Sequence, residues 1–261
     1  QITHNGRPIT CLDTPGDEAF AALREHGAQL TDRGIRVVAA DDGIRPQTLE
    51  VINRAKFTNT PMIVAINKID KPEANVMRVK QELAGQGVLT EEWGGKTIAV
   101  EISAKQNKGI DNLLEMILLA AEIENFRANP SGKTIGTIIE SKMSTGKGAT
   151  ATVIVQNGTL KVGDIIAAGA AFGRIRSLED ETGRKLKEAT ASTPAQISGF
   201  SEVPQAGDIL QTLPTLDEAK QIALTIQRKN QSHKLSSKQA IVGDMKNKSI
   251  NLIVKTDAGG S

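Results

Sequence analysis

Along residues 1–129, short apolar blocks alternate with longer segments in which apolar residues recur at helical spacing. Ile9-Thr10-Cys11-Leu12, Ile35 with Val37-Val38-Ala39-Ala40, Met62-Ile63-Val64-Ala65-Ile66 and Thr97-Ile98-Ala99-Val100-Glu101-Ile102 read as strands. Near-continuous apolar runs of this kind suit strands buried on both faces of a sheet. Helices are expected over residues 18–26, 46–57, 74–86 and 109–126. In the last of these, Ile110, Leu113, Leu114, Ile117 and Leu118 form one stripe, read as the face that packs on the sheet. Strands alternating with helices in this way predict an α/β domain around a mainly parallel sheet. The opening pair is different: Asn5-Gly6 between Ile2-Thr3 and Ile9-Thr10 predicts a hairpin.

After Ala128-Asn129-Pro130-Ser131-Gly132, a linker signal, the pattern shifts to short strands. Strands are expected over 134–140, 150–156, 164–168, 173–178 and 208–211. Glycine turns separate them at Gly146-Lys147-Gly148, Asn157-Gly158 and Thr182-Gly183. Many short strands with such turns predict a small closed barrel, which removes exposed edges. From Thr215 to about Lys229, Leu216, Ala219, Ile222, Ala223 and Ile226 fall on one helical face. Residues 232–248 are polar and basic, read as a flexible connector, and 250–256 as the first strand of a further domain. The expected organisation is therefore an α/β domain over 1–129, a barrel over 133–213, a helix and connector over 215–249, and the start of a third domain over 250–261.

Composition narrows this little. The 261 residues carry a formal charge of +2, so nothing general argues for a protein that coats nucleic acid or a membrane surface. One cysteine, Cys11, excludes an internal disulfide and suits a reducing cytoplasm; inside a strand it reads as a small core residue. No apolar run reaches membrane-spanning length. His4, His26 and His233 are scattered and read as surface or turn residues, with no cysteine–histidine cluster to suggest zinc.

Chemistry concentrates at three strand ends, where ligands gather in sheets of this kind. The strand ending at Ile66 delivers Asn67-Lys68-Ile69-Asp70. The Asp70 carboxylate can accept two hydrogen bonds from N1 and the exocyclic N2 of guanine. Adenine lacks those donors and would leave the carboxylate desolvated and unpaired, a strong basis for rejection. Asn67 suits a role holding neighbouring loops and N7, and the Lys68 stem suits stacking on the base. Ile9–Leu12 leads into Asp13-Thr14-Pro15-Gly16, where a carboxylate could stand behind a magnesium shell and a glycine amide could approach a phosphate closely. Ser103-Ala104-Lys105 follows a third strand, with backbone amides that could donate to guanine O6.

These motifs, with Thr3-His4-Asn5-Gly6-Arg7, Ala39-Ala40-Asp41-Asp42-Gly43, the run from Asn67 to Asn75 and Glu91-Glu92-Trp93-Gly94-Gly95, resemble the translational GTPases, and among them the bacterial initiation factor 2 family. Val155-Gln156-Asn157-Gly158-Thr159-Leu160 and Val162-Gly163-Asp164 resemble that family's second domain, and Asn251-Leu252-Ile253-Val254-Lys255 the opening strand of its third. The resemblance implies a P-loop-type GTPase domain and a translation-factor barrel that docks on the small ribosomal subunit. Lys142, Lys147, Arg174, Arg176, Arg184, Lys185 and Lys187 could meet rRNA phosphates there. It implies GTP/GDP and Mg2+ as cofactors. Asp13 would serve the metal through water, Asp13 to Gly16 the phosphate end, and Asn67, Lys68, Asp70, Ser103, Ala104 and Lys105 the base. It further implies a cytoplasmic, monomeric factor, not bound to membranes, that hydrolyses GTP while helping to place initiator tRNA during subunit joining. Two alternatives stand beside this: a ribosome-docking module without nucleotide turnover, and another translational GTPase of the elongation-factor type.

Three features depart from that pattern. The chain begins at Gln1 and contains no G-x-x-x-x-G-K-S/T loop; Gly95-Lys96-Thr97 and Gly132-Lys133-Thr134 lack the first glycine. The reading is therefore of an internal piece lacking the phosphate loop and the tRNA-binding domains, in which strands ending at Asp13 and Ala40 face a gap and nucleotide binds poorly. Arg36 interrupts a strand expected to be buried, where an unpaired charge is costly. Asp17 follows Gly16, where the resembled factors usually carry a histidine that orients the attacking water. A carboxylate there either repels the phosphate and slows hydrolysis, or simply caps the helix expected from residue 18. If it is the slow element, Asp17→His in the intact protein raises the ribosome-stimulated rate of phosphate release; an unchanged rate leaves only the cap.

Overall fold

The structure, a computed structural model, describes residues 1–13, 30–57 and 61–239. The helix expected over 18–26, the strand over 250–256 and Asp17 lie outside those residues. Strands β1 (Ile2–His4) and β2 (Arg7–Ile9) form a two-stranded sheet of their own. Asn5 and Gly6 take φ of 49° and 73°, the left-handed pair that a tight hairpin turn requires. The strand expected over 9–12 stops at Ile9: residues 10–13 carry no regular structure, and Cys11 is exposed, not a core residue. The pairing of β2 is satisfied by β1 alone, so no described ladder holds the backbone extended beyond it.

The chain divides into two compact units. The first, built from His4–Arg7 and Leu12–Arg127, holds β3 (Gly34–Ala39), α1 (Pro46–Phe57), β4 (Met62–Asn67), α2 (Val76–Gly85), β5 (Ile98–Glu101) and α3 (Ile110–Glu124). Its sheet runs β3-β4-β5, all parallel. Ile63, Val64, Ala65 and Ile66 of β4 are fully buried, because each face of the strand has its own core. Val64 and Ile66 pack with Val38, Ile52, Val79 and Leu83 beneath α1 and α2. Ile63 and Ala65 pack with Val100, Ile102 and Ala120 beneath α3. Helix starts follow local chemistry: Pro46 opens α1, where its missing N–H costs nothing, and the Asn75 side chain caps α2 by accepting from Arg78 N at 2.9 Å.

Strand β3 is not buried on both faces as expected. Ile35 and Val37 are 41% and 51% exposed, since the α3 layer covers β4 and β5 and not these positions. Arg36, on the opposite face, is accommodated by donating to the buried Thr48 hydroxyl of α1 at 2.7 Å. A buried cation, Lys80 of α2, pairs with Glu92 at 2.8 Å and Glu101 at 3.1 Å. It thereby ties α2 to β5 and to the short 3-10 turn Glu91–Trp93. Gly95 closes that turn against the Leu89 carbonyl, where an added Cβ would lie 2.0 Å from the oxygen.

The second unit takes in Gln1–Thr3, Pro8–Cys11 and the described residues from Ala128 onward. It contains β6 (Ile135–Ser144), β7 (Gly148–Asn157), β8 (Thr159–Lys161), β9 (Ile165–Ala168), β10 (Ala171–Glu179), β11 (Glu188–Thr190), β12 (Pro194–Phe200), β13 (Ile209–Leu213) and α4 (Leu216–Gln239). A closed antiparallel barrel runs β10-β12-β7-β6-β13-β9, and β8 pairs with β11 beside it. Alternate residues turn inward, including Ala149, Ala151, Val153 and Val155 of β7 and Ala195 and Ile197 of β12. Ala219 and Ala223 are buried on α4, which packs on β9, β10 and β13. The helix runs to Gln239, past the expected end near Lys229. Between those residues lies neither glycine nor proline, and polarity alone does not stop a helix. Among the described residues no helix is long and apolar enough to cross a membrane.

Strand β12 escaped the sequence pattern, yet it sits between β7 and β10. Its Gly199, at φ 116°, lies where an added Cβ would be 2.0 Å from the Arg174 carbonyl oxygen; at Gly173 it would be 2.0 Å from Gly199 O. Two backbones approach here more closely than any side chain permits. Gly199→Ala is expected to cost about 3 kcal/mol or more. Gly183→Ala, also at positive φ but with open space around it, should cost only about 1 kcal/mol. Native-state hydrogen exchange of the β7 and β12 amides separates the two.

Candidate nucleotide site

Strand β4 ends at Asn67, and Lys68 then takes φ 65°, a left-handed conformation uncommon for a residue with a Cβ. The turn is held from both sides. Asn67 Oδ1 accepts from Lys68 N at 2.7 Å and from Ala104 N at 3.0 Å. The Asn67 carbonyl accepts from Ala40 N at 2.8 Å, and Ile102 N donates to Ile66 O at 2.8 Å. The loops after β3, β4 and β5 are thus joined at the carboxyl end of the sheet.

Ser103 is fully buried and links the third loop to the second. Its hydroxyl donates to Asp70 Oδ1 at 2.6 Å and accepts from Gln106 N at 3.1 Å. Asp70 is held below the usual carboxylate range chiefly by that hydroxyl; burial opposes the shift, while Lys105 and Lys71 add to it. With one bond accepted from Ser103, the ionised carboxylate keeps lone pairs for further donors. The amides of the tripeptide divide unequally. Ser103 N donates to Lys108 O at 2.9 Å and Ala104 N to Asn67 Oδ1, so of these three amides that of Lys105 is the one without an acceptor among the described residues.

A charged cluster lies behind the turn. Lys68 Nζ is 3.4 Å from Asp41 Oδ1 and 3.4 Å from Asp42 Oδ2. Lys71 Nζ lies 2.5 Å from Asp41 Oδ2, and Arg45 is 2.9 Å from Asp42. The Lys71 ammonium, opposed by desolvation and joined by Lys68, holds the Asp41 carboxyl at about 2. Helix α2 fixes the backbone beneath: Arg78 donates to Asp41 O at 3.0 Å, and Glu82 accepts from Ile44 N at 2.8 Å. In the sequence this acidic pair stands out only as part of the string Ala39 to Gly43. The available signal was two carboxylates at one strand end facing two lysines three residues apart at the next.

The structure therefore brings Asn67, Lys68, Asp70, Ser103, Ala104 and Lys105 together. Asp13 is exposed at the end of the irregular segment, and Thr14, Pro15, Gly16 and Asp17 lie outside the described residues. Magnesium binds through one or two carboxylates, substrate phosphates and several retained waters. A single exposed carboxylate such as Asp13 fits such an outer-shell role, and among the described residues no cluster of three potential ligands competes for it.

Residues 1–122 match the family described as the elongation factor Tu GTP binding domain, and residues 133–213 match elongation factor G domain 2. The chain is 49% identical over 269 residues to translation initiation factor IF-2 of Thermodesulfovibrio yellowstonii, an alignment covering 100% of this chain and 36% of that protein. It is 51% identical over 265 residues to IF-2 of a Thermoanaerobacter species, covering 98% and 38%. The chain thus spans somewhat over a third of the length of these relatives. Among solved structures, GDP-bound aIF5B from Aeropyrum pernix shares the fold with a TM-score of 0.69 at 24% identity, over 84% of this chain and 45% of that one. The elongation factor SelB from Methanococcus maripaludis gives 0.57 at 25% identity, over 72% and 41%. Two adjacent domains of one translation-factor architecture, and close sequence likeness along the whole chain, lead to one assignment: the chain belongs to the translational GTPase family, in the branch of the bacterial initiation factor IF-2.

Proposed function

We propose that the intact protein is a GTP-controlled initiation factor. It binds GTP and GDP with Mg2+, docks on the ribosome, promotes placement of initiator tRNA during subunit joining, and leaves after hydrolysis. The observation that carries the nucleotide reading is the bond from Ser103 to Asp70, which orients a charged acceptor beside the Asn67–Ala104 link. In this reading Asp70 takes guanine N1 and N2, the Lys105 amide takes O6, and the Lys68 stem covers the ring. Asp13 stands behind the metal waters, Gly16 meets the terminal phosphate, and Asp17 occupies the water-positioning place. The domain limits 1–129, 133–213, 215–249 and 250–261 and a monomeric, cytoplasmic state belong to the same reading.

For the barrel, exposed Lys142, Arg174, Arg176, Arg184, Lys185 and Lys187 remain candidates for small-subunit rRNA phosphates. Lys147 is a weaker candidate, since both Glu179 carboxylate oxygens lie 2.7 Å from its ammonium. Initiator tRNA would be met by domains outside this chain. Asp17 is the residue that favours the second reading, a docking module without turnover.

The test is base exchange. Asp70→Asn replaces an acceptor by an amide donor, which suits the O2 carbonyl of xanthine and not the N2 amine of guanine. In the intact protein it should lower GDP affinity by about two orders of magnitude and raise XDP affinity. Equilibrium titration with fluorescent nucleotides reads both, and an unchanged GDP affinity would remove Asp70 from the base site.

A further inference from the structure

We propose that Asp41 is a positioning residue for the nucleotide base, acting through Lys68; the proposal rests on the base-site reading above. Lys68 is fixed at both ends. Its backbone is held in the left-handed turn by the Asn67 side chain, and its ammonium lies between Asp42, to which it donates a hydrogen bond at 3.4 Å, and Asp41, with which it forms an ion pair at 3.4 Å. A lysine stem free in water samples many rotamers, and ordering it on ligand binding carries an entropic cost. Tethering the ammonium removes part of that cost before the base arrives. It also leaves the methylene stem, on a side chain 40% exposed, open to stack on a planar ring.

Asp41 and Asp42 are not equivalent tethers. The Asp41 side chain is only 12% exposed, and its backbone and the turn after it are pinned by Arg78 and Glu82 of α2. Gly43 completes that turn at φ 77°, packed so closely on Glu82 that an added Cβ would lie 2.6 Å from its Oε2. Asp42 is 36% exposed and is shared with the solvated Arg45, 65% exposed. The charges facing Asp41 are Lys68 and Lys71 from the loop after β4; Arg78 meets its carbonyl. A rigid carboxylate on a helix-braced turn fixes a cation better than a mobile one.

The decisive measurement is stopped-flow release of fluorescent GDP and IDP from the intact protein. Stacking does not sense the exocyclic amine that IDP lacks, whereas Asp70 does. Asp41→Asn is therefore expected to speed release of both nucleotides by the same factor, about five- to tenfold, and to add nothing in a Lys68→Met background. Lys71→Met leaves Asp41 with Lys68 as its described cation and should release GDP no faster than the wild type. Additive effects of Asp41→Asn and Lys68→Met would overturn the proposal. So would a GDP-to-IDP ratio that collapses, since the whole loop would then have moved. If Asp41→Asn does not fold, Lys71→Met decides: release as fast as in Lys68→Met overturns the proposal, and wild-type release supports it. A wild-type protein with no preference for GDP over ADP would instead overturn the base-site reading, and the proposal with it.

Discussion

Burial of β4 on both faces is the constraint from which the site follows. With Ile63 to Ile66 all removed from water, the strand cannot slide or rotate without exposing one of the two cores. Its end is therefore a fixed point, and what happens at Asn67 is decided by a rigid support. The Asn67 carboxamide converts that fixity into a site by accepting from its own turn and from the loop after β5. One side chain thus joins the two loops to which the base-recognition chemistry is assigned in the proposed function. The left-handed Lys68 is a local strain that persists because its surroundings over-determine it.

The legible parts of the molecule were those where one residue type is dictated by local physics. Alternating apolar blocks marked β3, β4 and β5, Asn5-Gly6 marked the hairpin, and the proposed base-reading role of Asn67 to Asp70 could be argued from hydrogen-bond donors and acceptors alone. The illegible parts depend on partners far along the chain. The Ser103 hydroxyl reaches Asp70 only because β4 and β5 are adjacent and in register, which no local pattern states. Asp41 meets Lys71 for the same reason one strand over. Cys11 is exposed because an apolar run is not sufficient for a strand, which also needs a neighbour to pair with. Strand β12 hid because Gly199 breaks its alternation where the backbone of β10 approaches.

The barrel shows why counting cations is a poor guide to a binding surface. Sequence offered Lys147 and Arg174 as equals, but Lys147 holds a nearly buried Glu179, while Arg174 stands exposed on β10. An exposed cation can exchange its counterions for a phosphate at little cost, and one engaged by a buried carboxylate must first break that pair and leave the acid behind.

The string Glu91-Glu92-Trp93-Gly94-Gly95, informative about family, proves to be about packing. Lys80 is a charged residue in the buried face of α2. Burial works against its ammonium, but the bonds it donates to Glu92 and Glu101 outweigh it and push its pKa up. Lys80 thus needs an acid from β5 and another from the turn, and the turn can present Glu92 only if the chain closes sharply against Leu89, which Gly95 allows. Gly95 and the acid serve a lysine 12 residues before Glu92, and β5, which delivers Ser103, is clamped in the process. A sequence signature distant from the candidate base site can in this way be a condition for that site's geometry without touching any ligand.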